Sequence, residues 1–553
     1  MAQAVVGAAD EAPPSLLEQI KGFGRPFWMA NVMELLERLA YYGVRVVIPI
    51  YIASTQDPHG LHFTNTQKGE ILATWAVVQS LLPMFTGGFA DRYGYKRTIS
   101  VAIAFKIVGY LVMATQRGYW PFLLGCVLLA VGTAVFKPGV QGTLLRGITR
   151  KNSSVGWGIF YQCVNVGGFL GPPLAGYLHR LSWPHVFFSC AGIVSLNYLS
   201  MLLYTDAADP SAGDAVHGAE GAEASTAALS AKPAWRVLVD SVTNLFRPRL
   251  LVFLVVMSGF WLMFMQLFDM LPNFIEEWTD SSGIVRALGL RPGIIVQVTD
   301  RGPQIAQEWM INLNAGCIIV LMVFIAALTA RVRRLTSIFV GILVASVGLM
   351  MAGFTMSGWS CLLGIFVFSL GEMAASPKMN EYLGVVAPRG QEGLYMGYAN
   401  VPIAIGWTYG TLKGGEIYDR GADKANLSLD YLRHHGVVTE VPAALVGDGS
   451  GAAGAQVTAW LQGHGMAAVA AHAPDLHITA GSTAGAQVAA FIRLHAFEQL
   501  QSTLGINATR ATTLLWNTYH PYQIWYGFAG TGMAAGFGML AYGWYARRWA
   551  SDA

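Results

Sequence analysis

The chain has 553 residues, 54% of them apolar and only 12% charged, and its mean hydropathy is +0.44. Soluble domains carry about 25% charged residues, so this composition excludes an ordinary soluble fold and indicates a polytopic membrane protein. The net charge of +3, with no basic block interleaved with aromatics, argues against a nucleic-acid partner.

Residues 1–25 lack a basic stretch followed by a short apolar core and read as a cytoplasmic N-terminal segment without a cleaved signal. The first apolar run, Pro26 to Ile52, carries Glu34, Glu37, Arg38, Tyr41, Tyr42 and Arg45. At about 100° per residue these six positions fall on one helical stripe roughly 140° wide. A charged side chain costs roughly 2.5 to 3.5 kcal/mol at a bilayer centre, so such a stripe needs a wet or paired destination, by default an ion or substrate path.

Apolar runs follow near Gly69 to Ala90, Thr98 to Thr115, Tyr119 to Leu145, Val155 to Leu178 and His185 to Tyr204. With the first they form a six-helix bundle over 26–204. A polar, Ala/Gly/Ser-rich stretch makes 205–249 a cytoplasmic linker. Further runs lie near Leu250 to Phe274, Trp309 to Ala330, Ser337 to Met356, Cys361 to Val386 and Gly393 to Ile417, giving a second bundle over 250–417. The twelfth lies near Tyr522 to Tyr545, within 522–553. Six spans plus six about a linker is the arrangement of two repeated bundles with a site between them. Lys and Arg concentrate in alternate connections, which puts both termini in the cytoplasm.

Between spans eleven and twelve lie about 100 residues, Tyr418 to Pro521, expected to form an extracytoplasmic insert with one or two amphipathic helices around Ala484 to Thr503. Its histidines, among them His434, His435, His464, His472 and His477, read as solvated rather than metal-binding. The five cysteines, Cys126, Cys163, Cys190, Cys317 and Cys361, lie in apolar segments without C-x-x-C spacing and read as packing residues.

Inside the spans, Lys137 precedes Pro138 well within the fourth run, where an unpaired ammonium is costly; Glu34 or Glu37 is its expected partner. Tyr161 and Asn165 share a helical face as a hydrogen-bonding wall. Gln266 and Asn314 are candidates for polar contacts, and Gly406, Gly410 and Gly414 form a close-packing ridge. No ATP loop, zinc ligand set or nucleophile–base pair is present, so no cofactor is expected, an enzyme is the least favoured class, and energy should come from an ion gradient.

Glu34, Glu37 and Arg38 followed by Tyr41, Tyr42, Gly43 and Arg45 resemble the first-helix motif of the proton-coupled oligopeptide transporter family of the major facilitator superfamily. Gly87 to Arg97 resembles the superfamily's loop between helices two and three, Phe136-Lys137-Pro138 the family's fourth-helix lysine motif, Phe160 to Gly167 its fifth-helix signature, and Gly371 to Pro377 its tenth-helix glutamate motif. The resemblance implies an all-α membrane fold: twelve transmembrane helices in two six-helix bundles, with an insert between helices 11 and 12. It also implies import of di- or tripeptides, or similar small zwitterions, in symport with protons at the plasma membrane.

In that reading Glu34, Glu37, Arg38, Lys137, Glu372 and Asp269 couple protons. Arg45, Tyr41, Tyr42, Lys137, Tyr161, Asn165, Gln266, Asn314, Glu372 and Ser376 bind substrate, and Asp91, Arg92, Lys96 and Arg97 form a conformational latch. Two positions depart from the pattern: Met265 stands where the family has an acid in helix seven, and Ala399 where it has an aromatic. Asp269, one turn further on the same face, is the candidate replacement for that acid. The alternatives are a major facilitator transporter of a non-peptide or larger peptide-like substrate, and a non-transporting receptor or assembly subunit with a protein partner at the Tyr418 to Pro521 insert.

Overall fold

The computed structural model describes residues 16–83, 90, 93–148, 152–205, 243, 245–387, 395, 397–446, 451–478 and 483–551. Long helices dominate, because in hydrocarbon every backbone N–H and C=O must be satisfied within its own segment. We number the long helices α1 (Arg25–Ala53), α2 (Asn65–Leu81), α3 (Tyr95–Thr115), α4 (Tyr119–Leu145), α5 (Ser153–His179) and α6 (Trp183–Ser195, continued by Asn197–Leu202) in the first bundle. The second holds α7 (Pro248–Asp269), α8 (Gln307–Thr329), α9 (Arg334–Gly353), α10 (Gly358–Val386), α11 (Asn400–Gly421) and α12 (Ile524–Ser551).

Seven of the described helices are long and apolar enough to cross a membrane on composition alone, among them α3, α4, α7, α8, α9 and α10. The charged α1 falls outside that set because its stripe of ionic residues lowers its mean hydropathy while its other faces stay apolar.

Each bundle buries its own core. One core gathers Phe27, Trp75, Tyr110 and Phe122; the other gathers Phe253, Phe264, Phe368 and Trp525. Glycine notches let the bundles meet closely: a Cβ on Gly69 of α2 would run into the Thr411 carbonyl of α11, and one on Gly415 into the Asn65 carbonyl. The α2 helix starts with a capping box, in which Thr64 Oγ1 accepts from the Gln67 amide at 3.1 Å and Gln67 Oε1 accepts from the Thr64 amide at 3.0 Å.

The segment between α7 and α8 is structured. It holds a short helix, Leu271–Trp278, a second, Ser282–Ala287, and an antiparallel hairpin that pairs Val296–Thr299 with Gly302–Ile305. The segment between α11 and α12 forms a small helical unit with its own core around Val457, Leu461, Val488 and Ile492. Helices Ala484–Leu494 and Ala496–Leu504 occupy the stretch where one or two amphipathic helices were expected, and Lys424–His434, Gly451–Gly463 and Ala508–Tyr519 add to them. This unit caps one end of the bundles, the insert end.

Candidate functional site

The charged stripe of α1 lies buried inside the first bundle. Glu34 and Glu37 are 1% and 0% exposed, so their charges must be met locally. Arg38 pairs with Glu34 at 3.1 Å and with Glu37, and Lys106 of α3 supplies the second cation to Glu37. The Thr133 hydroxyl of α4 accepts from Lys106 at 2.8 Å. This four-charge cluster is neutral overall. The Arg38 guanidinium also lies 5.0 Å from the Tyr41 ring centre, and the Tyr41 hydroxyl accepts from Gln79 at 2.9 Å.

Lys106 went unnoticed in the sequence. Its signal was the one applied to Lys137, an ammonium within an apolar run, and the partner expected for Lys137 belongs to it. Lys137 itself is exposed, within electrostatic reach of Glu34, Glu37 and Arg38, and in no ion pair among the described residues. The expected pairing of Lys137 with Glu34 or Glu37 is therefore corrected: Arg38 and Lys106 already neutralise those carboxylates, and Lys137 remains solvated beside them.

Across the inter-bundle space stands Glu372 of α10. Asn314 of α8 donates to its Oε2 at 2.8 Å and to the Ser369 hydroxyl at 3.0 Å, so the carboxyl is held by a hydrogen-bond network of its own bundle. Tyr42 of α1 and Tyr161 of α5 both lie within electrostatic reach of Glu372, which places all three on the surfaces the bundles turn toward each other. Asn165 donates to the Tyr161 carbonyl at 3.1 Å, one helical turn back. Ser376, one turn beyond Glu372, has a buried hydroxyl with no partner among the described residues. Lys378 pairs with Glu381 at 2.8 Å and leaves Glu372 alone.

Toward the insert end the bundles are joined. Arg45 of α1 forms a buried ion pair with Asp269 at the end of α7, Trp407 of α11 donates to the other Asp269 oxygen at 3.0 Å, and the guanidinium lies 5.0 Å from the Trp407 ring centre. Asp269 thus presents to Arg45 the carboxylate that Met265 cannot. Trp407 lies eight residues beyond Ala399, and two turns of α11 carry it to the Arg45 level.

One turn further out, Lys68 of α2 donates to Asn273 at 2.8 Å, and Asn273 donates to the Pro49 carbonyl at 3.2 Å. Asp419 of α11 accepts the first free amides of α2, from Asn65 at 2.9 Å and Thr66 at 2.7 Å, so one bundle caps a helix N-terminus of the other. Asn65 also donates to Asp423 at 2.8 Å, and Arg493 of the insert pairs with the same Asp423 oxygen. Glu277, just outside α7, accepts from the Tyr418 hydroxyl at 3.1 Å and the Lys424 amide at 3.2 Å, and burial beside Asp423 pushes its carboxyl up to about 8.

Arg45 and Glu372 therefore have different partners: Arg45 pairs with Asp269 toward the insert end, while Glu372 lies near Tyr42 and Tyr161. Gln266, expected as a polar contact, lies in the α7–α11 interface, donating to the Leu262 carbonyl at 2.8 Å and filling the notches of Gly410 and Gly414. Its side chain lies along the glycine ridge of α11. Of the latch residues, Lys96 donates to the Tyr204 carbonyl at 2.5 Å and sits over the Tyr204 ring, Arg97 is exposed, and Asp91 and Arg92 lie outside the described residues.

The chain resembles known transporters. A profile of the Major Facilitator Superfamily matches residues 32–411. The chain is 30% identical over 179 residues to the uncharacterized transporter YclF of Bacillus subtilis, covering 31% of this chain and 36% of that protein. It is 28% identical over 197 residues to the peptide transporter YePEPT of Yersinia enterocolitica, covering 34% and 38%. The chain thus spans little more than a third of the length of these two relatives. With the multidrug resistance protein MdtH of Photorhabdus laumondii it shares 23% identity over 421 residues, 74% of this chain and 90% of that one. A solved bacterial homologue of the human drug peptide transporters shares the fold with a TM-score of 0.57 at 17% identity, over 95% of this chain and 99% of its own. The profile runs from the ionic stripe of α1 through the inter-bundle face of α11, and the chain belongs to the major facilitator superfamily of multi-pass membrane transporters.

Proposed function

We propose that the chain is a secondary transporter that imports di- or tripeptides, or a similar small zwitterion, together with protons by alternating access across the plasma membrane. One observation carries this reading. The exposed ammonium of Lys137 stands on the first bundle and the carboxyl of Glu372 on the second, where Tyr42 and Tyr161 of the first bundle lie within its electrostatic reach; such opposite charges on the two bundles are complementary to a ligand with a carboxylate at one end and an amine at the other.

The insert end faces the exterior and both termini the cytoplasm, and the Arg45–Asp269 and α2–Asp419 contacts make this the state closed to the outside. The proton-coupling set is Glu34, Glu37, Arg38, Lys137 and Glu372, with Asp269 as gate carboxylate. Protonation of a carboxylate in one state and pairing in the other is what lets a gradient bias the cycle. The insert acts as part of the outer gate, since Arg493 reaches the Asp423 that also holds Asn65.

Uptake of a labelled dipeptide into vesicles, with and without an inward proton gradient, tests the proposal. Acid-stimulated accumulation that is lost in Lys137→Ala and Glu372→Gln supports it; equal uptake without a gradient removes proton coupling.

A second reading rests on Met265, which packs against both cores at the level of the missing acid, and on the buried Ala399. These favour a bulkier or non-peptide cargo on the same scaffold. Absence of stabilisation by every member of a dipeptide library in a thermal-shift assay would favour it.

A further inference from the structure

At the insert end, where the first bundle meets the start of α8, lies a small, partly open cleft with room for little more than one water-sized guest. His179, Glu276, Gln297, Gln307 and Glu308 line it, and an adjoining cavity shares Glu276, Gln297 and Gln307 and extends to Arg301. Three buried acceptors on this wall, Glu276 Oε2, Gln307 Oε1 and Glu308 Oε1, have no hydrogen-bond partner among the described residues. Gln307 and Glu308 are 5% and 3% exposed, so bulk water does not satisfy them.

Both carboxyls belong to the second bundle and are pressed against the first. The Ser54 hydroxyl at the end of α1 reaches Glu276. The Glu308 carboxyl occupies the notch left by Gly176 of α5, where any Cβ would overlap it.

The charged groups facing Glu276 are Asp57 from the α1–α2 connection, Glu308 from α8, Arg301 from the hairpin and Lys424 from the insert, with the Tyr418 phenol from α11. Those facing Glu308 are His179 and Arg180 of α5, and Glu276. The cations are engaged elsewhere. Arg301 donates to the carbonyls of Glu276 and Thr279, Arg180 to those of Gly293 and Ile294, and Lys424 to that of Glu277. Each carboxyl has one donor, the Ser54 hydroxyl for Glu276 and its own backbone amide for Glu308, which leaves one oxygen of each unmet; two negative charges require more, and one proton supplies a further donor.

We propose that Glu276 and Glu308 form an external proton-binding site, completed only when the bundles close at the insert end, so that acid on that side holds this gate shut. The inference rests on the alternating-access reading but adds a proton that is not transported, because the site opens to the same side from which it was loaded. Burial beside Asp57 pushes the Glu276 carboxyl up from 4.5 to about 7, whereas in the parted state water would return it to its ordinary value. The closed form then binds more protons between those values, so acidification favours closure and the preference is lost as pH rises through about 7. Between pH 7.5 and 5.5, one such group shifts the equilibrium toward closure about twentyfold.

The test is a distance measurement without substrate. Spin labels on Leu181→Cys and Leu288→Cys, both exposed positions at the insert end of opposite bundles, are read by electron–electron double resonance at pH 5.5 and 7.5 in a background lacking the native cysteines. The expected result is a long-distance, open population whose ratio to the closed one rises about twentyfold at pH 7.5, which disappears at both pH values in Glu276→Gln and responds less to pH in Glu308→Gln. Gly176→Ala should leave the gate open at both pH values, because its methyl group evicts the Glu308 carboxyl. A wild-type distribution independent of pH, or an unchanged response in both glutamine variants, overturns the proposal. Since no uptake is read, failure to transport peptides leaves this result intact, and peptide uptake with a pH-insensitive gate sinks only this inference.

Discussion

Arg45 of α1 and Asp269 of α7 meet as a buried ion pair between the two bundles, and Trp407 closes over both. The carboxylate lies one turn beyond the position where the resemblance places an acid, so the ion pair sits about 6 Å further along the helix, the rise of four helical residues. Met265 fills the vacated level with an apolar contact.

Removing one partner of such a pair leaves an uncompensated buried charge, at a cost of about 3–5 kcal/mol in the state that contains it. Asp269→Asn should therefore depopulate the state closed at the insert end and lower uptake at least tenfold. Cysteine accessibility at the insert end reports the first effect and vesicle transport the second. A variant with wild-type accessibility would show that the pair does not hold the gate.

In the Glu37–Lys106 pair both groups are fully buried within one bundle, so its loss should appear as instability. Glu37→Gln and Lys106→Met should each destabilise by about 3–5 kcal/mol, and the double variant by clearly less than the sum. Thermal or denaturant unfolding in detergent measures the coupling.

Lys137→Ala should behave in the opposite way. Its ammonium is exposed and in no ion pair among the described residues, so stability should change by less than about 1 kcal/mol while acid-driven uptake is lost. Glu372→Gln retains an acceptor for Asn314 and should likewise fold normally and fail to accumulate substrate.

Close approach of α2 and α11 depends on two absent side chains. Gly69→Val would drive a branched side chain into the Thr411 carbonyl, and Gly415→Val another into Asn65. Either variant should hold the insert end open and slow turnover at least tenfold, with both bundles intact by circular dichroism.

The docking of the insert should depend on pH. Burial beside Asp423 raises the Glu277 carboxyl from 4.5 to about 8, so the folded form binds more protons than the unfolded one between these values. Stability of this region should fall as pH rises from about 5 to 8 and level off beyond. Glu277→Gln, which can still accept from Tyr418, should flatten the profile in amide hydrogen exchange over Lys424–His434.

The sequence alone determined the apolar, helical character, the approximate spans and the need of the α1 stripe for charge partners, because each follows from one chain's transfer energies: an apolar run seeks hydrocarbon, and a charged stripe in it needs partners. Tertiary structure decided which partners. Lys106 and Lys137 present the same local signal, yet Lys106 is sealed onto Glu37 while Lys137 stays in the open, because helix rotation and crossing set which ammonium meets the carboxylate. The same holds for Gln266, turned into a glycine ridge, and for Glu308, lodged against Gly176 from more than 100 residues away. Such contacts are fixed by packing between bundles, which no local spacing encodes.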